Sequence, residues 1–333
     1  MLHPVVYGLF FMEIMIGLLK QRVLNGELLS YEDGLLLTQV TDKEALYKAA
    51  DEIREHFCGN VMDLCSITNA KSGACAMDCK WCSQSRHYET KVDEYEIVDL
   101  KDTVKEVVEN AKKGVKRHSL VTSGRRVNNR TLDKLIPIYK EIKKQTDISL
   151  CASMGLINKK QLSRLKDEVG IEHYHCNLET APSYFKELVT THTIDEKIET
   201  IKIAQSLNIK ICSGGIIGMG ENMGHRVELA IMLQELGVQS IPLNLLNAVE
   251  GTPLEGTEML SEEEILTSIA MFRFLNPKAN LRFAGGRMQI REFQDKALHA
   301  GISAALTGDY LTTIGSNIDE DIRDFKNAGF TID

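Results

Sequence analysis

The sequence predicts an α/β fold, a (β/α)8 barrel with an N-terminal helical cap. Short apolar runs alternate with longer helical patterns from about residue 43 onward, and eight such units follow one another. No Pro-, Gly- or Ser-rich linker, low-complexity run or fixed repeat separates them. Strict alternation implies parallel strands joined by crossover helices. Eight units fit a closed barrel with its site at the C-terminal ends of the strands. An open doubly wound sheet is the alternative. The chain divides into residues 1–42, an extension with cap helices, and 43–333, the barrel.

The stretch 4–19 is apolar and interrupted by Glu13. It is too short and too acidic for a membrane span. It also lacks the basic start and cleavage site of a signal peptide. Residues 1–16 read as an extension of the kind an upstream start codon adds, or as an amphipathic cap helix. Residues 18–40 have helical periodicity, punctuated by Asn25, Gly26 and Gly34. A helix over 43–56 is capped by Thr41 and Asp42, with Glu44 in its first turn. Strands are expected at 61–68, 119–123, 148–153, 171–178, 209–217, 240–246, 280–284 and 302–307. Helices are expected between them at 100–113, 131–145, 159–168, 194–206, 224–236, 261–275 and 289–299.

A hydrophobic content of 43% and a charged content of 26% are those of a globular protein in water. The net charge of -8 argues against a nucleic-acid partner, which calls for a basic face. The eight cysteines are not spaced like a secreted disulfide scaffold. A reducing cytoplasm with metal or cluster chemistry fits them better.

Three of those cysteines, Cys75, Cys79 and Cys82, form a C-x3-C-x2-C loop with Trp81 before the last. Three thiolates can hold three corners of an iron–sulfur cube and leave the fourth iron open. A structural cluster normally has four cysteines. An open iron can chelate a substrate, much as a catalytic zinc keeps an open position. Zinc loops use paired C-x2-C units, and the second pair is missing here. The loop follows the first strand, which puts it at the barrel mouth. Further in, Cys65, Cys151, Cys212 and Arg282 occupy strand positions where aliphatic filling is expected. Any one such cysteine is most often a small core hydrophobe. Arg282 is different, because a guanidinium inside a barrel must be paired with a buried anion. An anionic iron–sulfur cluster would supply that charge, and the cysteines its ligands. Cys58 reads as structural. Strand alternation puts His175, Asn177 and Glu179 on one face and Tyr174, Cys176 and Leu178 on the other, so Cys176 faces the helices if Asn177 and Glu179 face the site.

The cysteine loop with its aromatic resembles the radical S-adenosylmethionine (SAM) superfamily. There the open iron of a 4Fe–4S cluster holds the amino and carboxylate groups of SAM, which an electron cleaves to a 5′-deoxyadenosyl radical. The run from Cys212 to Glu221, Asn177-Leu178-Glu179-Thr180, Thr190-Thr191, Gly251-Thr252-Pro253-Leu254 and Gly308-Asp309-Tyr310-Leu311-Thr312-Thr313 resemble the biotin synthase family. The similarity runs from about residue 43 to 330.

That resemblance implies insertion of sulfur between a methyl and a methylene carbon of dethiobiotin, with two SAM molecules cleaved in turn. The sulfur comes from an auxiliary iron–sulfur cluster, usually 2Fe–2S, held by three cysteines and an arginine. Cys151, Cys212 and Arg282 match three of those positions. Ser119 stands where the family has its strand-two cysteine, and Cys65 on the neighbouring strand is the replacement thiol. Ligands so arranged admit a four-iron cluster as well as 2Fe–2S. Trp81 is expected against the adenine of SAM. Asn177 and Glu179 match an Asn-x-Asp pair at the ribose, and Lys197 an arginine at the SAM carboxylate. Gly214 and Gly215 serve close backbone approach to a ligand or tight strand–helix packing. Asn244 corresponds to a dethiobiotin contact, or satisfies a turn. The resemblance further implies a flavodoxin or ferredoxin donor, a homodimer and oxygen sensitivity. Another radical SAM barrel enzyme, a mutase or cofactor maturase, is the alternative function. A non-catalytic iron–sulfur protein is a third, although it would need a fourth cysteine in the loop.

Overall fold

The computed structural model describes residues 4–308, 311 and 316–332, with side chains from residue 13 onward. The motif positions 309, 310, 312 and 313 lie outside the described residues.

Three helices precede the barrel: α1 (Pro4–Leu24), α2 (Tyr31–Thr38) and α3 (Lys43–Cys58). Ser30 and Asp33 form a reciprocal capping box at α2, and Asp42 caps α3. The barrel then runs β1 (Asp63–Lys71), α4 (Leu100–Lys112), β2 (Arg117–Thr122), α5 (Asn129–Gln145), β3 (Ser149–Ser153), α6 (Lys159–Val169) and β4 (His173–His175). It continues through α7 (Phe185–Leu188), α8 (Ile194–Ser206), β5 (Lys210–Cys212), β6 (Gly215–Ile217), α9 (Met223–Glu235), β7 (Ser240–Leu245) and α10 (Glu262–Leu275). A last portion comprises β8 (Asn280–Phe283), a 3-10 turn (Arg287–Phe293), α11 (Gln294–Leu298), β9 (Ala304–Leu306) and α12 (Ile318–Asn327).

All the strand pairs are parallel. Neighbours run β5-β4-β3-β2-β1-β9-β8-β7-β6, and the pairing of β5 with β7 closes the ring. The barrel is therefore closed, with β5 and β6 as halves of one stave, and the open-sheet alternative is excluded. The expected strand at 209–217 is broken because its backbone lies against both neighbours. A Cβ on Gly214 would sit 2.0 Å from the Pro242 carbonyl oxygen, and one on Gly215 would sit 2.5 Å from that of Glu179. Gly215 also packs against α9, where a Cβ would lie 2.7 Å from Leu229 Cδ2, while Gly214 meets the neighbouring strand rather than a helix.

The wall between sheet and helices is apolar. Leu64, Leu120, Leu150, Tyr174, Ile211, Ile241 and Leu281 point outward into it and are fully or almost fully buried. The same core includes Ile16, Leu19, Val23 and Leu37, so the N-terminal helices share it. Gly34 does not punctuate a break. It lies within α2, where a Cβ would press on Val227 at 2.7 Å. The short α7 and the terminal α12 escaped the sequence pattern, and the helix expected at 289–299 is half 3-10 turn. No helix among the described residues is long and apolar enough to cross a membrane.

Candidate active site

The cysteine loop leaves β1 and folds back on itself. Cys75 N–H donates to the Gln84 carbonyl at 2.9 Å, and Cys82 N–H to that of Cys79 at 3.0 Å. The loop is fastened from outside by Asp78. Its Oδ1 accepts the backbone N–H of Thr190 and Thr191, both at 3.1 Å, and the Thr191 hydroxyl at 2.6 Å. The Thr190 hydroxyl donates to Oδ2. Thr190-Thr191 thus anchors the loop. These bonds hold the Asp78 carboxyl far below its usual range, although burial alone would raise it.

Every site residue expected from sequence lines one cavity of about 450 Å³, large enough for a cofactor and a small substrate. Near the mouth are Cys75, Cys79 and Cys82, with Trp81 packed toward the small apolar group of Phe185, Leu188, Val189 and Met219. Deeper, on β1, β3, β5 and β8, are Cys65, Cys151, Cys212 and Arg282. All the cysteines are free. No trio of His, Cys, Asp or Glu among the described residues is gathered tightly enough to hold a single metal ion. Burial pushes the Cys79 thiol far up and Cys82 up to about 11; a cation bound beside them would favour their thiolate forms.

The register brings the deep set together. Cys65 faces Arg117, Ser119 faces Cys151, His175 faces Cys212, and Cys212 faces Ser240. Ser119 is buried within reach of the Cys151 thiol without forming a well-aligned hydrogen bond. Burial, then the neighbouring Cys212, pushes Cys151 up to about 12. Burial also raises Cys65, against the pull of Arg282 and Arg117. For Cys212 burial is outweighed by His175, Arg282 and Arg117 together, which bring it down to about 6. In return the Cys212 thiolate raises His175, against burial.

Comparison with known proteins gives the family. The Radical SAM superfamily profile matches residues 70–233, and that of the Biotin and Thiamin Synthesis associated domain matches 242–331. A biotin synthase of Parabacteroides distasonis is 52% identical over 94% of this chain and 96% of its own. One from Clostridium botulinum strain Hall is 48% identical over 94% and 98%.

The chain belongs to the biotin synthase family.

It is thus a radical SAM enzyme, and a 4Fe–4S cluster and SAM are the cofactors the family implies. Among solved structures, methylornithine synthase superposes with a TM-score of 0.78 over 95% of this chain and 97% of its own, at 19% identity. An FeFe-hydrogenase maturase from Carboxydothermus hydrogenoformans gives 0.80 over 95% and 78%, at 17% identity. These two share the fold.

Within the family's pocket, several expected residues are already committed. Lys197 Nζ donates to the Asn177 carbonyl at 2.8 Å and lies 3.8 Å from Glu179. Asn177 Oδ1 accepts from Gly214 N–H at 3.0 Å, and its Nδ2 donates to Glu179 at 3.3 Å. Glu179 has a φ of 76°, a left-handed conformation that a non-glycine residue adopts at a cost of about 1–3 kcal/mol, as functional sites often do. Asn244 ties Gly215 O to Gly285 N–H at 2.9 Å each, so its amide is a strand clamp that also borders the cavity. Cys176 is buried in the core yet reaches the cavity wall. The strict alternation expected for it stops where β4 ends at His175. Cys58 lies away from the cavity and accepts from Arg273 Nη1 at 3.4 Å.

Arg282 has a buried anion within the protein itself, Asp63, 2.5 Å from its Nη2, which the sequence pattern did not single out. Sequence reasoning also passed over Arg117 and His192. Arg117 stands two residues before Ser119 and so on its face, a signal that strand parity carries. His192 is only 8% exposed, lines the cavity, and its Nδ1 has no partner. It follows Thr190-Thr191 directly, but nothing in the local pattern points it inward.

Proposed function

We propose that this protein makes biotin from dethiobiotin by radical insertion of sulfur, the two thiol sets serving two clusters. Both sets opening on one cavity is the observation that supports this reading. A mutase or maturase needs no second set, and an electron carrier needs no cavity between them. When bound, the outer cluster supplies the electron that cleaves SAM and the inner one supplies the sulfur atom.

Cys75, Cys79 and Cys82 hold the outer 4Fe–4S cluster and leave one iron for SAM. Trp81 packs against the adenine. Asn177 and Glu179 meet the ribose, and Lys197 adds positive charge near the SAM carboxylate. The free Nδ1 of His192 offers SAM a further hydrogen bond. Cys65, Cys151 and Cys212 hold the inner cluster, 2Fe–2S or four-iron, with Arg282 alongside. Cys65 does the work of the missing strand-two thiol, since the hydroxyl of Ser119 is a poor iron ligand. Asn244 borders the dethiobiotin site. The protein works in the cytoplasm as a homodimer, reduced by a flavodoxin or ferredoxin.

The test is anaerobic incubation of the reconstituted protein with SAM, a reductant and dethiobiotin, followed by mass analysis. Biotin and 5′-deoxyadenosine together are expected. Deoxyadenosine without biotin would favour another radical SAM reaction, and no SAM cleavage would favour a non-catalytic cluster protein.

A further inference from the structure

Asp63 stands two residues before Cys65 on β1, so the two side chains share a face. Its Oδ2 accepts from Arg282 Nη2 and Arg117 Nη2, each at 2.5 Å, and from Asn280 Nδ2 at 3.1 Å. One carboxylate oxygen on β1 thus ties β2 on one side to β8 on the other, past β9. Arg282 is only 2% exposed and otherwise spent on oxygen. Its Nη1 donates to the Asp63 and Ala305 carbonyls at 2.9 Å each, and its Nε lies 3.4 Å from Ser240 Oγ. A guanidinium has five N–H donors. Four of them have oxygen acceptors here, and the one left on Nη2 can reach only as a donor.

To ligate iron, a guanidinium nitrogen must give up a proton and present a lone pair. In this setting that would break a buried, charge-assisted hydrogen bond from Arg282 to Asp63 or to a strand carbonyl, a loss of about 1.5–3 kcal/mol for each one broken. It would also leave the Asp63 charge short of a counter-ion in a buried site. We propose that Asp63 is a positioning residue that clamps Arg282 and Arg117 as two fixed cations beside Cys65, Cys151 and Cys212. Neither arginine is then an iron ligand, and the inner cluster is held by thiols alone. This inference rests on the reading that those three thiols hold a cluster. The charges are consistent with it. Three thiolates and one carboxylate face two guanidiniums and the positive iron–sulfur core. The clamp also fixes both arginines before any cluster is present, so the cations need no reorganisation when it is built or rebuilt.

The experiment uses the full chain, reconstituted anaerobically, reduced, and grown with arginine carrying 15N in its guanidinium. Electron–nuclear hyperfine spectra without SAM read whether arginine nitrogen is bonded to iron. Only weak coupling, as from an N–H donor, is expected. Strong coupling typical of a direct iron–nitrogen bond would overturn the proposal while leaving the three-thiol reading in place. An inner cluster that fails to form in the wild type would discard that reading and the proposal with it. Asp63→Asn keeps the shape and removes the charge. It should shift the inner cluster's reduction potential to more positive values, and Asp63→Glu should bring it back toward the wild type. A potential unmoved in Asp63→Asn would also overturn the proposal.

Discussion

Asp78 and Thr191 bond each other reciprocally. The Thr191 hydroxyl donates to Asp78 Oδ1 at 2.6 Å and accepts the Asp78 backbone N–H at 3.1 Å. One polar pair thereby ties the cysteine loop to the segment that leads into α8. Hydrogen bonds to a charged group are worth about 1.5–3 kcal/mol each. Asp78→Ala should loosen the loop, lowering the iron and sulfide retained by the outer cluster and exposing residues 73–90 to protease. Thr191→Val should do the same more weakly. Wild-type iron content and protection in Asp78→Ala would count against the latch.

Cys65 should be separable from the outer cluster. Cys65→Ala is expected to keep SAM cleavage, lose the iron and visible absorption of the inner cluster, and form no biotin. Mössbauer spectra of wild type and variant make the comparison. An unchanged inner signal would remove Cys65 from the ligand set. Because Ser119 is the register partner of Cys151, Ser119→Cys in the Cys65→Ala background should recover part of the signal.

His192 should report on SAM binding. Its imidazole is buried and held neutral, its pKa lowered to about 4 chiefly by burial and then by Lys197. Removing one hydrogen bond to SAM costs about 1 kcal/mol, so His192→Ala should weaken SAM binding roughly five- to tenfold. Calorimetry on the reconstituted protein reads it directly, and an unchanged affinity would make His192 a packing residue.

His118 should set part of the acid sensitivity of the fold. It points outward from β2, fully buried, with Ser66 Oγ 2.8 Å from Nδ1 and Thr68 Oγ1 3.1 Å from Nε2. Burial lowers its pKa to about 3. An unfolded histidine binds a proton near pH 6.5. Between those values the unfolded state takes up a proton that the folded state refuses. Stability is therefore lost as pH falls from about 6.5 toward 3, at up to about 1.4 kcal/mol per pH unit. His118→Gln should be less stable at pH 7 and flatter in its pH dependence, as urea unfolding at pH 7 and 5 would show.

Two glycines should respond in opposite directions to alanine. Gly214→Ala puts a methyl 2.0 Å from a backbone oxygen and should abolish soluble expression. Gly17 lies within α1 with nothing within 4 Å of a new Cβ. Gly17→Ala should gain about 0.5–1 kcal/mol from helix propensity, read as a small rise in Tm.

Much of this was legible in the chain. The residues singled out from the sequence, Cys75, Cys79, Cys82, Cys65, Cys151, Cys212 and Arg282, all meet on one cavity. Alternation within a strand told which side chains share a face. What alternation cannot tell is which residue of the next strand lies opposite. Parity places Asp63 and Arg117 on the site face, but only the register sets them around Arg282: Arg117 opposite Cys65, and Asp63 and Arg282 both opposite Ala304. His192 was overlooked because it lies outside the strands, where no period applies.

The sequence by itself determined the parallel alternating barrel, the C-x3-C-x2-C loop and the family, because hydrophobic period, cysteine spacing and motif order are properties of the chain. Only the tertiary structure decided that β5 closes on β7, that Gly214 is dictated by Pro242, and that a carboxylate balances the arginine among the thiols. Those depend on distances between residues far apart in the chain, and a charge buried in a barrel is answered by whichever group the closed register brings within reach.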